Sequence, residues 1–288
     1  MTAEILRYAA FTDPAQPGGG NPAGIVPDAT GLDDARMQEI AAEVGYAETA
    51  FVRPAVDGRI PLRFFSPVAE VPFCGHATVA TAVALAERDG VGTLRFATPV
   101  GEVLIETEES GGAIRATFTS VDPVVSELPD AVRETLLELL GLADAHLDPR
   151  FPPRIAYAGN RHPVLVIGEQ HRFDGFTFDP DAVRALMDAE GWTGTVTVAH
   201  PSRDGAGAEP GVGVWEARNI FPVGTMDEDP ATGSAAASFG GYLRELGLVP
   251  ESGRIRILQG RHVGRPSLLE VEIPPTGGIR VTGTASPI

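Results

Sequence analysis

Residues 64–82 read Phe-Phe-Ser-Pro-Val-Ala-Glu-Val-Pro-Phe-Cys-Gly-His-Ala-Thr-Val-Ala-Thr-Ala. A strand-like start and a proline-bounded loop lead into Cys74, Gly75 and His76, and small or apolar residues then continue without a charge until Glu87. This pattern predicts a loop that opens a buried helix. Because the first N–H groups of a helix have no partners within the helix and its dipole is positive there, this turn is a candidate anion site.

A second turn of the same form lies far downstream. Residues 229–238 read Asp-Pro-Ala-Thr-Gly-Ser-Ala-Ala-Ala-Ser and predict a helix over residues 234–246. A Gly-Asn turn also occurs twice, at Gly20 and at Gly159. The two Gly-Asn turns lie about 140 positions apart, and the two turns that precede the alanine-rich helices lie about 158 positions apart. Spacings this long favour two homologous domains over a solenoid of short repeats.

Periodicity and turn signals indicate mixed helix and strand in both halves. A helix is predicted from Asp33 or Asp34 to about Val44, where Gly45 ends it, and an antiparallel meander is predicted over residues 94–118. The second half is expected to begin near Asp122. Other predicted helices cover residues 128–140 and 181–189, and other predicted strands cover residues 46–52, 60–65, 194–200, 255–259 and 268–273.

The composition excludes several classes of function. The formal charge of −17 and the pI near 4.7 oppose binding to nucleic acid or to anionic membranes. All 22 basic residues are arginine, which excludes a Schiff-base lysine and a Walker-type phosphate lysine. Cys74 is the only cysteine, so an internal disulfide and a multi-thiolate metal site are excluded. No signal peptide or membrane span is evident, and we expect a soluble, cytoplasmic protein.

Glu48 and His76 are the first candidates for chemistry. Glu48 lies in a short apolar strand, where desolvation makes a carboxylate a usable proton carrier, although an outward-facing position on a half-exposed strand is the plain alternative. His76 lies at a helix start, where its side chain and backbone N–H groups can converge on an anion, or where it simply caps the helix.

Asp229 and Ser234 flank the second turn, although Asp229 also belongs to the acidic run at residues 227–229 and could lie in a solvated loop. Cys74 has two interpretations, a thiol activated at a helix start or a small packing residue, and packing is favoured. The sequence contains no H-E-x-x-H motif, no histidine pair at metal spacing, no G-x-S-x-G elbow and no G-x-G-x-x-G after a strand. We therefore expect no metal and no cofactor.

Four segments together resemble the PhzF family of phenazine-biosynthesis proteins. They are Gly-Asn-Pro-Ala-Gly-Ile-Val at 20–26, Glu-Thr-Ala-Phe-Val at 48–52, residues 63–78 around the first turn, and Asp-Pro-Ala-Thr-Gly-Ser-Ala-Ala at 229–236. The resemblance implies an α+β fold of the diaminopimelate-epimerase type, with two pseudo-symmetric domains. Each would be an antiparallel, barrel-like sheet wrapped around a central α-helix, with the active site in the cleft between them.

The implied domains are residues 1–122, to which 274–288 return, and residues 123–273. The resemblance further implies a homodimer and a cofactor-independent isomerase that shifts a proton on a small carboxylate substrate. In the family the substrate is a dihydro-hydroxyanthranilate. Alternatives are another proton-transfer enzyme, such as a tautomerase or lyase acting on a different carboxylate, and a non-catalytic small-molecule-binding or interaction protein.

The resemblance also assigns roles to residues. Glu48 matches the general acid/base, and His76, Asp229 and Ser234 match the assisting and substrate-positioning residues. The substrate carboxylate would be bound by the backbone N–H groups of Gly75, His76, Gly233 and Ser234. Epimerases and racemases of this fold place a cysteine at each helix start, whereas here Thr232 is the counterpart of Cys74. A two-cysteine racemase is thus excluded, and a one-base proton shift remains allowed.

Overall fold

The computed structural model describes residues 3–202, 213–223 and 226–288. The strands are β1 Leu6–Ala10, β2 Asn21–Val26, β3 Glu48–Val52, β4 Ile60–Phe65, β5 Glu70–Val71, β6 Thr93–Thr98, β7 Gly101–Ser110, β8 Ala113–Thr119, β9 Val124–Glu127, β10 Arg154–Tyr157, β11 Arg161–Val166, β12 Val196–Pro201, β13 Gly213–Val223, β14 Met226–Asp229, β15 Arg254–Gln259, β16 Ser267–Glu272 and β17 Arg280–Pro287. The α-helices are α1 Asp34–Val44, α2 Gly75–Asp89, α3 Asp130–Leu139, α4 Gln170–Gly175, α5 Pro180–Glu190 and α6 Gly233–Glu245.

The chain divides into two units. The N-terminal unit comprises Met1–Thr119 and Thr282–Ile288, and the C-terminal unit comprises Ser120–Val281. The return to the first unit therefore begins at Thr282, later than the predicted residue 274. Residues just before it stay in the C-terminal unit because Ile279 is fully buried there and exchanges hydrogen bonds of 2.8 and 3.0 Å with Ser120.

The N-terminal unit is a closed barrel of eight strands. Hydrogen-bonded pairs run in the order β1, β2, β3, β4, β6, β7, β8 and β17, and β17 pairs with β1 again. The predicted meander is confirmed, since β6, β7 and β8 pair antiparallel. The sheet as a whole is mixed, because β2 with β3 and β4 with β6 are parallel. Parallel neighbours require crossover connections, and these contain α1 and α2.

Helix α2 is the core of this barrel. It contacts β1, β2, β3, β7 and β8, and every residue from 76 to 86 is buried. Alanine, threonine and valine dominate that run, so the strands can surround the helix closely. The hydroxyls of Thr78 and Thr81 donate to the backbone carbonyls four residues earlier, at 2.6 and 2.7 Å. Both buried hydroxyls therefore have a hydrogen-bond acceptor inside the core. The helix predicted from the first turn to about Arg88 is thereby confirmed.

The C-terminal unit has the same plan. Its sheet runs in the order β9, β10, β11, β12, β13, β15 and β16, and β14 forms a hairpin with β13. Helix α6 contacts β9, β10, β11 and β16 and is buried from residue 235 to 243, so the sheet curves around it. The parallel pairs, β11 with β12 and β13 with β15, match those of the N-terminal unit. The predicted helix at 234–246 is confirmed with a shift of one residue.

Short helix α4 was not predicted, because its sequence is polar and its stability comes from a distant residue. Arg218 on β13 is buried, and its Nη1 donates to the carbonyls of Phe173 and Phe176 at 3.2 and 3.0 Å. The guanidinium also pairs with buried Glu228 and lies 3.7 Å from the centre of the Phe176 ring. In the described part of the chain, no helix combines the length and apolar character needed to cross a membrane.

Candidate active site

The first turn places a polar cluster at the N-terminus of α2. Cys74 is the N-cap residue in an extended conformation (φ −142°, ψ 115°), and its side chain makes no capping hydrogen bond. An added Cβ at Gly75 would meet only Phe73 Cε1, at 3.9 Å. Packing within the protein therefore does not require glycine at this position. The small residue leaves the first N–H groups of the helix open to the approach of a ligand.

Glu48 joins this turn from the first position of β3. The Cys74 thiol donates to Glu48 Oε2 at 3.4 Å, and His76 Nε2 lies 3.5 Å from the same oxygen. Cys74 Sγ is also 3.3 Å from His76 Nδ1. The structure thus brings Glu48 and His76 together, as expected, and adds Cys74 to them. The exposed fraction of the Glu48 side chain is 19%, against 7% for His76, so solvent reaches the cluster through the carboxylate.

Burial controls the charge state of His76. Desolvation lowers the pKa of its imidazole to about 4, and a hydrogen bond to the backbone of Pro22 only partly opposes this shift. At neutral pH the ring is therefore uncharged. An uncharged ring beside Glu48 can donate or accept a hydrogen bond without fixing the carboxylate in a permanent ion pair.

Ser234 occupies the corresponding place at the start of α6, where it contacts a buried histidine. Its Oγ lies 3.1 Å from His162 Nε2, and His162 Nδ1 lies 3.0 Å from the Thr195 backbone nitrogen and 3.1 Å from the Thr195 carbonyl oxygen. With its proton on Nε2 the neutral ring donates to Ser234, and with its proton on Nδ1 the ring donates to the Thr195 carbonyl and accepts from Ser234. In both tautomers the Ser234 hydroxyl is held against a buried histidine. His162 carries no motif and lies 72 residues from Ser234, so only the fold brings the two together.

Asp229 belongs to the same helix start but has a different partner. Its Oδ2 accepts from Thr232 Oγ1 at 2.6 Å, and Gln259 Nε2 donates to its backbone carbonyl at 2.6 Å. Gln259 also accepts from the Thr232 N–H, at 3.2 Å. These bonds hold the turn before Gly233 and Ser234 in one conformation. The acid predicted to flank the turn is therefore part of its scaffold and lies at the end of β14, and it is not in a solvated loop.

Strand register shows how the two helix starts differ. In the N-terminal unit, the residue that follows Pro22 on β2 is Ala23, and it lies opposite Glu48 on the parallel strand β3. In the C-terminal unit, the residue that follows Pro163 on β11 is Val164, and it lies opposite Thr197 on the parallel strand β12. Thr197 is therefore the counterpart of Glu48, just as Thr232 and Ser234 are the counterparts of Cys74 and His76. The Thr197 hydroxyl donates to Asn219 at 2.8 Å. The C-terminal set offers hydroxyls where the N-terminal set offers a carboxylate, a thiol and an imidazole.

The N-terminal set also contains metal-ligating atom types. The ligand atoms of Glu48, Cys74 and His76 all lie within 4.8 Å of one another, and no other such group occurs in residues 3–202, 213–223 and 226–288. No ligand set was predicted from the sequence because Glu48 precedes Cys74 by 26 residues and only the fold brings them together.

Each unit of this chain has a sheet that curves around a buried helix, and polar residues lie at the N-terminus of that helix. This is the fold class of the epimerase- and racemase-type isomerases. A solved structure of a probable proline racemase from Agrobacterium radiobacter matches the fold with a TM-score of 0.64 at 13% identity, covering 100% of this chain and 91% of the other. A phenazine biosynthesis protein of the PhzF family from Bacillus anthracis matches more closely, with a TM-score of 0.82 at 24% identity and coverage of 100% and 98%.

The family model described as "PhzC-PhzF: Phenazine biosynthesis-like protein" matches residues 8–288. The chain belongs to this family. It is similar to the trans-2,3-dihydro-3-hydroxyanthranilate isomerase of Pseudomonas chlororaphis, with 32% identity over 87% of this chain and 84% of the relative. The family resemblance and the fold class indicated by the sequence are thereby confirmed.

Proposed function

We propose that the protein is a cofactor-independent isomerase that shifts a proton between two carbons of a small unsaturated carboxylate, with Glu48 as general acid/base. Family membership and the name of the Pseudomonas chlororaphis relative support the reaction type. The observation that carries the assignment to residues is the contact of Glu48 with His76 and Cys74 at the start of a buried helix.

The proposed step conserves atoms and electrons. The Glu48 carboxylate takes a proton from one carbon, the C–H electron pair delocalises through the unsaturated system towards the substrate carboxylate, and the same proton carrier returns a proton to a different carbon. Negative charge that develops on the substrate carboxylate is stabilised by helix N-terminal N–H groups. Those of Gly75 and His76 are the proposed donors in the N-terminal unit, and those of Gly233 and Ser234 are the proposed carboxylate-binding groups at the start of α6.

The neighbouring residues have separate proposed roles. Uncharged His76 orients the Glu48 carboxylate without neutralising it. Ser234 supplies a hydroxyl at the second helix start, where His162 holds it. Asp229 positions the second turn through Thr232. A tautomerase or lyase reaction on another carboxylate would use the same groups, and a non-catalytic binding protein would need only the N–H groups.

The central test replaces Glu48 by glutamine, which preserves shape and removes the proton carrier. With trans-2,3-dihydro-3-hydroxyanthranilate as first substrate, we expect turnover to fall by roughly 100-fold to 10,000-fold, the usual contribution of a general acid/base, while ligand binding persists. Glu87→Gln is the matched control, since Glu87 lies near the other end of α2 and bonds to Tyr8. Full activity in Glu48→Gln would overturn the proposal.

A second experiment separates the alternatives. Small carboxylates are screened by thermal shift, and each ligand found is tested for proton–deuterium exchange by NMR in both the wild type and Glu48→Gln. Exchange that depends on Glu48 supports proton-transfer chemistry, and the product then distinguishes an isomerase from a lyase. Binding without any exchange supports a non-catalytic role.

A further inference from the structure

We propose that Glu48, Cys74 and His76 form a binding site for Zn²⁺ or a similar borderline-soft divalent cation, and that the bound cation blocks proton transfer by Glu48. Cys74 Sγ, His76 Nε2 and Glu48 Oε2 lie 3.4, 3.5 and 3.9 Å from one another in pairs. Zinc–ligand bonds of about 2.0 to 2.3 Å at tetrahedral angles require ligand atoms roughly 3.3 to 3.6 Å apart. The three atoms are thus close to the spacing of three corners of a zinc tetrahedron before any metal is added.

The donor set selects the class of cation. A thiolate, an imidazole and a carboxylate are zinc ligands and also suit Co²⁺, whereas Mg²⁺ and Ca²⁺ prefer sets made wholly of oxygen atoms. Binding converts the Cys74 thiol to a thiolate and releases its proton to solvent, and no oxidation or reduction takes place. With Glu48, the thiolate supplies two negative charges to a dication. The fourth coordination position remains for water.

The support around the ligands limits the cost of assembly. Cys74 and His76 are two residues apart on a buried helix start, and Glu48 is fixed by its place in the barrel. Little conformational freedom remains to be lost when the ion binds. The partly exposed Glu48 side chain provides the entry path.

The consequence for function follows from the shared carboxylate oxygen. A lone pair of Glu48 that coordinates a cation cannot at the same time accept a proton from a substrate. Zinc should therefore act as a reversible inhibitor of any proton transfer that Glu48 performs. The metal site itself does not depend on the proposed isomerase activity.

The test is spectroscopic and uses the whole protein after treatment with a chelator. Titration with Co²⁺ should give one equivalent of binding, with the visible bands of tetrahedral cobalt and a thiolate-to-cobalt charge-transfer band. Because Cys74 is the only cysteine, that band can arise from no other residue. Zn²⁺ should displace the cobalt and erase both signals. If Co²⁺ binds without the charge-transfer band, or if neither metal binds, the proposal is wrong.

Variants localise the ligands. Cys74→Ser should abolish the charge-transfer band and weaken zinc binding, measured against a chromophoric chelator, by roughly 100-fold or more, since even outer-shell changes cost 10–100-fold. His171→Ala, at an exposed histidine beside Glu169, should leave zinc binding unchanged. Zinc protection of the wild-type thiol against alkylation provides a readout that does not require a folded variant. Unchanged alkylation in zinc-loaded protein would contradict the site.

Discussion

The burial of His162 beside the start of α6 can be tested quantitatively through its effect on stability at different pH values. Its ring is fully buried, and burial lowers its pKa from the ordinary value of 6.5 to about 4, against a smaller opposing effect of its hydrogen bond to the Thr195 backbone. The folded state therefore prefers the neutral ring, and His162 favours folding at pH values above the pKa of the unfolded chain. This stabilisation is lost as the pH falls from about 6.5 towards about 4.

The size of the effect follows from the two pKa values. Between about pH 7.5 and about pH 5, preferential protonation of the unfolded chain should lower the free energy of unfolding by about 2 kcal/mol through this ring alone. His162→Asn removes the titrating group, and its amide oxygen can still accept from the Thr195 N–H. The cavity left by the smaller side chain costs stability at both pH values, so it cancels when the two pH values are compared.

The assay is urea unfolding of wild type and His162→Asn at both pH values. We expect the wild type to lose about 2 kcal/mol more than the variant on acidification, because His76 and the carboxylates are present in both proteins and cancel. NMR of the imidazole nitrogens should independently show that His162 is neutral at about pH 5. Equal losses in the two proteins, or titration of His162 near its ordinary pKa, would refute the reasoning.

Two further predictions concern the C-terminal unit. Gly241→Ala should lower the free energy of unfolding by about 1–3 kcal/mol, because a Cβ there would lie 2.4 Å from Pro123 Cβ. Gly175→Ala is the control and should leave stability nearly unchanged, because its Cβ would meet nothing within 4 Å. The urea unfolding midpoints of the two variants measure the difference. Arg218→Met should cost roughly 3–5 kcal/mol by leaving Glu228 buried without its cation, and the double variant with Glu228→Leu should recover part of that loss. A double variant no more stable than Arg218→Met would show that the charge pair is not the cause.

Local signals were sufficient for the elements that hold the site. Asp33 caps α1 through the Arg36 N–H, and Gly45 ends it in a left-handed conformation, as their residue types indicate. The alanine-rich runs after both turns likewise predicted the two buried helices. Family motifs then supplied Glu48 and His76. These features depend on neighbours in sequence, so a single chain contains enough information to find them.

The remaining features depend on contacts that sequence separation conceals. His162 belongs to no motif, and only the fold places it against Ser234. Cys74 was predicted to be a packing residue because small buried cysteines are common and inert, although its helix-start position also allowed an activated thiol. Its distances of 3.4 Å to Glu48 and 3.3 Å to His76 put the thiol inside the polar cluster, where packing is not its only contact.

The register of the two parallel strand pairs bears on the proposed chemistry itself. Both helix starts share one backbone form, but the C-terminal counterparts, Thr197, Thr232 and Ser234, carry neutral hydroxyls, which are weak bases near neutral pH. Inversion of a stereocentre by two bases needs one base on each face of a substrate. A single carboxylate can reach two carbons on one face of a planar substrate and cannot reach the other face. Glu48 is the one carboxylate in the polar cluster at the start of α2, so the proposed positional shift of a proton suits the side chains found there.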